Sequence, residues 1–216
     1  EEMLLEQEAS LAPGERHRSH PAGQLSKETV TVNVEEALAA HRHIVILGDP
    51  GSGKTTLLRY LALLYGRDLA EKKKLLSKKL KLNESGYLPI LLPLRQIGQF
   101  LKAHHAKNDG TDGHALLLNF LLQTLKNRHV EIPVGYFEKA LDAGQAVVLL
   151  DGMDEVADPD LRARVARLIE DFTLAYPKAR FVVPSRIVGY SGTARLSGDY
   201  VVTTVHDFTL EDVRQF

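Results

Sequence analysis

Short apolar runs recur from about residue 29 to the end of the chain, with amphipathic stretches between them. Five runs predict β-strands, because they are brief, almost wholly apolar and bounded by turn-forming residues. Pro89 and Pro93 favour an edge position or early ends for the second run, since proline cannot donate a ladder hydrogen bond. The predicted strands are residues 44–47, 87–94, 146–150, 180–183 and 200–205.

Apolar positions at helical spacing lie between these runs. Asn33 and Glu36 resemble a capping pair for a short helix that ends near His41. Leu57, Leu61 and Leu64 predict a helix after the first strand, with Gly66 as its stop. Further helices are predicted at residues 115–126, 136–141 and 161–176, the last introduced by an Asp-Pro pair. Strands that alternate with helices indicate a parallel sheet covered on both faces.

The two ends of the chain differ from this alternating region. Residues 1–28 mix charged residues with proline and glycine, which predicts a polar linker or mobile arm. Residues 29–206 are predicted to form the folded core. Residues 207–216 contain the segment Thr-Leu-Glu-Asp, which predicts the truncated start of a following helical domain.

A glycine-rich loop follows the first predicted strand and has the pattern G-x-x-x-x-G-K-[ST]. Glycines allow backbone N–H groups to surround a phosphate chain closely. Lys54 then places positive charge on the β- and γ-phosphates, and Thr55 offers its hydroxyl to Mg²⁺. The following helix adds the positive end of its dipole. The loop therefore predicts that a nucleoside triphosphate is bound by Gly48, Asp49, Pro50, Gly51, Ser52, Gly53, Lys54, Thr55 and Thr56.

Three carboxylates follow the third predicted strand within five residues. Asp151 lies at the strand tip, where ligands of doubly wound sheets bind, and is predicted to hold Mg²⁺ together with Thr55. Asp154 and Glu155 come slightly later, where one of them can orient or deprotonate an attacking water. The alternative is that these acids only charge a solvated loop, and the phosphate-binding loop makes that alternative the weaker one.

Arg186 follows the fourth predicted strand. A guanidinium at this tip can reach the γ-phosphate, stabilise charge on it and report its presence. The alternative is an arginine in an ordinary surface turn. We predict Asp154, Glu155 and Arg186 as the catalytic residues.

Composition narrows the classes of function. The 216 residues include no cysteine, which excludes disulfides and cysteine-bound zinc and favours a cytoplasmic protein. The net charge of −1 gives no overall attraction to nucleic acid or anionic membrane. One lysine-rich stretch is interpreted as a solvated helix or loop rather than as a binding patch: Lys72, Lys73, Lys74, Lys78, Lys79 and Lys81.

Taken together, the phosphate-binding loop, the block from Asp151 to Glu155 and the Ser185-Arg186 pair resemble a NACHT-type NTPase domain, one of the regulatory ATPases of the STAND class. The resemblance implies an α/β P-loop NTPase fold of the ASCE type, with a central five-stranded, mainly parallel sheet flanked by helices. It also implies that the Arg186 strand lies between the two motif strands. The implied roles are phosphate and Mg²⁺ binding by Lys54 and Thr55, metal binding by Asp151, hydrolysis by Asp154 or Glu155, and γ-phosphate sensing by Arg186.

The implied function is a switch that binds ATP or ADP with Mg²⁺, hydrolyses ATP slowly, and regulates self-association of a larger signalling protein with effector and sensor domains in the same chain. Immunity or defence is one such task. Adenine is preferred because the chain lacks the Asn-Lys-x-Asp segment that reads guanine, and residues 32–34 are the candidate adenine pocket. A phosphotransferase and a nucleotide-binding module that never hydrolyses are the alternatives.

Overall fold

A five-stranded, all-parallel sheet forms the centre of the fold. The computed structural model of the protein describes residues 34–104 and 113–205. The strands lie in the order β2-β3-β4-β1-β5. This arrangement confirms the predicted α/β fold class, and it confirms that the Arg186 strand lies between the two motif strands. The strands are β1 (His43–Leu47), β2 (Leu88–Pro93), β3 (Ala146–Asp151), β4 (Arg180–Ser185) and β5 (Val201–Thr204).

Seven helices of the described residues surround the sheet. Two short 3-10 turns, Met153–Glu155 and Gly192–Ala194, follow β3 and β4. No helix of this part of the chain has the length and apolar composition that crossing a membrane requires. The helices are α1 (Val34–Ala40), α2 (Lys54–Glu71), α3 (Leu75–Leu80), α4 (Leu94–His104), α5 (Gly113–Asn127), α6 (Tyr136–Asp142) and α7 (Pro159–Ala175).

The sequence-based helix boundaries need two corrections. Gly66 does not stop α2, which continues to Glu71 and ends at Lys72 in the left-handed region. Gly66 lies beside β2, and the packing of the buried α2 residues Leu61, Leu64 and Tyr65 outweighs the low helix propensity of this glycine. Helix α4 was not predicted, because its first residue, Leu94, was included in the preceding strand. The capping residue Asn33 and the terminal segments 1–28 and 207–216 lie outside the described residues.

Alternate residues of each central strand point to opposite faces of the sheet, as the geometry of a strand requires. On one face, Val148, Phe181 and Val183 pack with α4 to α7 in the larger core cluster. On the other face, Val147 and Val182 pack with α1, α2 and α3. All six residues of β4 are buried, so this strand is the most enclosed one in the sheet.

The position of β2 at an edge of the sheet agrees with its two prolines. The strand pairs only with β3, from Leu88 opposite Ala146 to Pro93 opposite Asp151. Neither proline can donate a backbone hydrogen bond outward, so the exposed side of β2 is a poor template for pairing with a further strand.

A buried polar network lies at the amino-terminal end of β4, away from the strand tips that carry the candidate site. The guanidinium of Arg180 donates to the backbone carbonyls of Leu38 and His41 and pairs with the carboxylate of Glu84. Glu84 also accepts a hydrogen bond of 2.9 Å from the Tyr65 hydroxyl. The side chains of Arg180 and Glu84 are only 4% and 12% exposed. The network therefore ties α1, α2 and the segment before β2 to the central strand.

His43, at the start of β1, gives the fold a pH dependence. Its ring packs against Phe181 and Tyr200, and its Nε2 is buried without a hydrogen-bond partner in the described part of the chain. Burial lowers the pKa of His43 below its ordinary value of 6.5, although the backbone at Ala179 and the charge of Asp199 oppose this effect. The folded state consequently binds fewer protons than the unfolded state below that pH.

We therefore expect the contribution of neutral His43 to the free energy of unfolding to be fully present above pH 6.5. This contribution should be lost as the pH falls below that value. The measurement is the thermal unfolding midpoint of the wild type and of His43→Phe, which keeps an aromatic ring but cannot titrate. The decrease from about pH 7.5 to about pH 5.5 should be smaller in the variant. An identical decrease in both proteins would exclude His43 as its source.

Candidate functional site

The carboxyl ends of β1, β3 and β4 meet at one edge of the sheet, and the loops that follow them enclose a cleft of about 270 Å³. Ligands of open parallel sheets bind at this edge. The cleft brings together most of the predicted site residues, whereas Gly48, Asp49 and Ser52 lie in the same loop without lining it. The lining residues are Pro50, Gly51, Gly53, Lys54, Thr55, Thr56, Asp151, Gly152, Asp154, Glu155, Pro184 and Arg186.

The phosphate-binding loop has the backbone that its glycines predict. Gly51 and Gly53 have φ values of 86° and 80°, in the left-handed region that side chains disfavour. An added Cβ at either position would meet nothing within 4 Å, so the glycines keep the space above the loop open. Lys54 Nζ donates to the carbonyls of Gly48 and Asp49, both at 2.8 Å, and to Ser52 Oγ at 3.1 Å. The ammonium group is thus held over its own loop at the start of α2.

The two predicted Mg²⁺ ligands lie side by side. Thr55 Oγ1 donates to Asp151 Oδ1 at 3.1 Å, although the residues are 96 positions apart in sequence. No group of three or more His, Cys, Asp or Glu side chains suited to a metal occurs in residues 34–104 and 113–205. One carboxylate and one hydroxyl suit Mg²⁺, which retains several waters and shares its shell with substrate phosphates rather than requiring a complete protein cage. The donor set therefore fits the predicted ion.

A tight turn after β3 positions the other two acids. Met153 is fully buried and anchors the 3-10 turn in the core, while Asp154 and Glu155 face the cleft. Gly152 has φ 80°, and an added Cβ would come within 3.0 Å of Glu155 Cδ. The positive φ favours glycine here, and any larger residue would displace the Glu155 side chain that folds back over it. Helix α7 follows at once, because Asp158 caps it by accepting from the amides of Asp160 and Leu161.

Arg186 is paired with one of these acids. Its Nε donates to Asp154 Oδ2 at 2.7 Å, and the two side chains are 53% and 13% exposed. Gly189 packs against Cβ and Cα of Asp154, since an added Cβ would lie 2.9 Å from Asp154 Cβ. The amides of Gly189 and Tyr190 both donate to the Arg186 carbonyl at 3.1 Å, which closes a turn directly after the arginine. Asp154 is therefore held between Arg186 and the turn that Arg186 begins.

Separation of β3 from β4 contributes to the opening of the cleft. The ladder between these strands ends at Leu149 opposite Val182, although β4 continues beside β1 as far as Ser185. Pro184 lies in this last part of β4 and has no N–H to donate. Sequence reasoning missed the roles of Pro184, Gly152 and Gly189. A proline inside a buried strand, and a glycine three residues after the arginine, are the signals that the sequence offered.

The candidate adenine pocket is only partly described, because residues 32 and 33 lie outside the described ranges. Val34 is partly buried and packs against the core cluster beneath α2, as do Leu57 and Val205. Val205 donates its amide to the Leu47 carbonyl at 2.7 Å and lies beside Gly48. An apolar surface thus borders the start of the phosphate-binding loop.

Comparison with known families gives a match to the model described as Novel STAND NTPase 3, over residues 28–83. The matched segment includes β1, the phosphate-binding loop, α2 and α3, and it ends before β2. A search of the curated proteins finds no match. The similarity, together with the parallel sheet, supports a nucleotide-dependent NTPase of the STAND class without distinguishing a NACHT domain from other members of that class.

Proposed function

We propose that the chain is the nucleotide-binding core of an ATP-dependent molecular switch. The observation that carries the proposal is the convergence, in one cleft, of the Lys54 loop, the Thr55–Asp151 pair and the Asp154–Arg186 pair. The first provides positive charge and backbone amides for phosphates, the second provides oxygen ligands for a cation, and the third provides a half-exposed arginine that is bonded to one carboxylate.

In the proposed mechanism, Lys54 exchanges hydrogen bonds with its loop for bonds to the phosphates of the nucleotide. The dipole of α2 favours the same negative charge. Thr55 and Asp151 would hold Mg²⁺, which would supply positive charge to the phosphates of the nucleotide. The loop amides orient the phosphate chain, so positioning and electrostatics account for most of the catalytic effect.

We assign the role of base to Glu155, because Asp154 is already engaged. The Asp154 carboxylate accepts from Arg186 and is largely enclosed, whereas Glu155 is exposed and faces the cleft. A base that accepts a proton from water must be free to approach that water. Asp154 is then a positioning residue that holds Arg186.

Arg186 is the proposed reporter of the γ-phosphate. Its guanidinium is half-exposed and bonded to a single carboxylate, so a phosphate group in the cleft can compete for it. Loss of the pair with Asp154 would remove one contact between Asp154 and the turn that begins at Arg186, leaving the packing of Gly189 on Asp154 Cβ. The proposed switch therefore has two arrangements, with Arg186 bonded to Asp154 or to the γ-phosphate, and these would differ in their affinity for ADP and ATP.

The remaining parts of the proposal rest on the resemblance. We propose that the core spans residues 29–206, that it is of the NACHT type, and that its hydrolysis is slow and acts as a timer. Self-association, effector and sensor domains in the same chain, cytoplasmic location and a signalling task in immunity or defence belong to the same proposal.

The test is calorimetric titration of the protein with ATP, ADP and GTP in the presence of Mg²⁺, with phosphate release measured on the same samples. We expect adenine-selective binding and slow release. Lys54→Ala should weaken ATP binding by about 10- to 100-fold, since a hydrogen bond to a charged group contributes about 1.5–3 kcal/mol. Lys126→Ala, which removes an exposed lysine outside the cleft, is the matched control.

Three results would contradict the proposal. Equal ATP affinity in wild type and Lys54→Ala would exclude the loop as the binding site. A preference for GTP would exclude an adenine switch. Rapid turnover that depends on a second substrate would favour a phosphotransferase instead.

A further inference from the structure

Six lysines lie in or directly beside the short helix α3, and all six are exposed. We call this region the α3 basic surface. It begins where α2 ends, about 25 Å along that helix from the phosphate-binding loop. It is therefore separate from the nucleotide cleft. Its members are Lys72, Lys73, Lys74, Lys78, Lys79 and Lys81.

The charge of this surface is not neutralised by its neighbours. Residues 69–83 contain these six lysines and one acid, Glu71, a formal charge of +5 in a chain whose net charge is −1. Glu71 pairs with Lys73 and Arg67. The flanking acids are occupied elsewhere, since the buried Asp68 accepts from three backbone amides and the partly buried Glu84 pairs with Arg180. A concentrated positive field thus remains on this side of the molecule.

The fold does not need the lysines at these positions. Leu76, Leu80 and Leu82 are 4% exposed or less and attach the segment to the core. The amino terminus of α3 is capped by Asp68 of α2, whose carboxylate accepts from the amides of Leu75 and Leu76. Lys74 occupies the N-cap position but makes no capping hydrogen bond, and its charge opposes the helix dipole there.

The backbone of the segment is also costly for lysine. Lys72, Lys74 and Lys81 have φ values of 52–53°, and they are three of the four non-glycine residues with positive φ in residues 34–104 and 113–205. Glycine takes this conformation without the penalty of about 1 kcal/mol that a side chain carries. Glycine at these three positions would make the fold more stable, so the lysines contribute charge rather than stability.

We propose that the α3 basic surface binds the phosphate backbone of nucleic acid without reading its sequence. Lysines are point charges that suit phosphates, and the surface has no exposed aromatic side chain for base stacking among residues 72–83. An anionic membrane is the less favoured partner, because a helix that lies in a membrane interface turns its apolar face outward. The leucines of α3 instead face the protein core.

The test is fluorescence anisotropy of a labelled DNA duplex of about 20 base pairs with the full chain, between about 50 mM and about 200 mM NaCl. Lys73→Gln/Lys78→Gln/Lys79→Gln removes three charges from the surface. Lys126→Gln/Lys139→Gln/Lys178→Gln removes three exposed charges elsewhere and is the matched control. Lys54→Ala tests whether the duplex occupies the nucleotide cleft. Thermal unfolding establishes that each variant is folded.

We expect micromolar binding, on the order of non-specific protein–DNA affinities, with a steep loss as salt rises. The surface variant should bind the duplex at least about tenfold more weakly. Its plot of log affinity against log salt should be less steep by about 2.7, or about 0.9 for each lost contact. The control triple variant and Lys54→Ala should match the wild type. Loss of equal size in both triple variants, or no binding at the lowest salt, would overturn the proposal. Lysine-dependent binding to phosphatidylserine vesicles without duplex binding would assign the surface to membranes instead.

Discussion

Glu155→Gln is expected to lower the rate of ATP hydrolysis by about 10²- to 10⁴-fold while leaving ATP affinity within about twofold. The amide cannot accept a proton from water, but it keeps the size of the side chain that folds over Gly152. The measurement combines single-turnover phosphate release with calorimetric binding of ATP and Mg²⁺.

Asp154→Asn provides the comparison for this prediction. It replaces a carboxylate that pairs with Arg186, so it should mainly change the ratio of ATP to ADP affinity and should reduce turnover less than Glu155→Gln does. If Asp154→Asn abolished hydrolysis and Glu155→Gln did not, the roles assigned to the two acids would have to be exchanged.

Glu84→Gln is expected to lower the free energy of unfolding by about 3–5 kcal/mol, because it leaves the Arg180 charge buried without its acidic partner. The measurement is urea unfolding at neutral pH, with the slope m compared between variants so that a change in cooperativity is recognised. Glu131→Gln, at an exposed position, should change stability by no more than about 0.5 kcal/mol. A loss below about 1 kcal/mol in Glu84→Gln would show that the pair behaves as an exposed, screened one.

The sequence predicted the strands more accurately than the helices. All five predicted strands are present with ends shifted by no more than two residues, because each is a short apolar run, and the three central strands β1, β3 and β4 are buried on both faces. The α4 segment was missed although Leu94, Ile97 and Leu101 have helical spacing, since its first turn continues the apolar run of β2 without a break. The end of α2 was misplaced because a single glycine is compatible with either a helix stop or a close helix–strand contact.

For the candidate site, the sequence predicted the residue types but not their partners. Ligands of parallel sheets bind at the carboxyl ends of the strands, and this rule predicted that Asp151, Arg186 and the phosphate-binding loop lie at one edge. In the structure these residues line one cleft. The pairing of Arg186 with Asp154, and of Arg180 with Glu84, joins residues 32 and 96 positions apart. Such pairs depend on strand order and loop conformation, which local patterns do not specify. The roles of the residues in catalysis stay predictions.

The buried polar network around Arg180 would limit how the proposed nucleotide signal could leave the site. Arg180 and Arg186 stand at opposite ends of β4, and the strand between them is about 17 Å long and wholly buried. With its first residue bonded to α1 and to Glu84, this strand cannot slide along its axis without breaking the network. We therefore expect β4 to stay in place, so that a displacement beginning at Arg186 would be transmitted through the turn at Gly189 instead. Ile187 and Val188, exposed on that turn, would be the first side chains displaced.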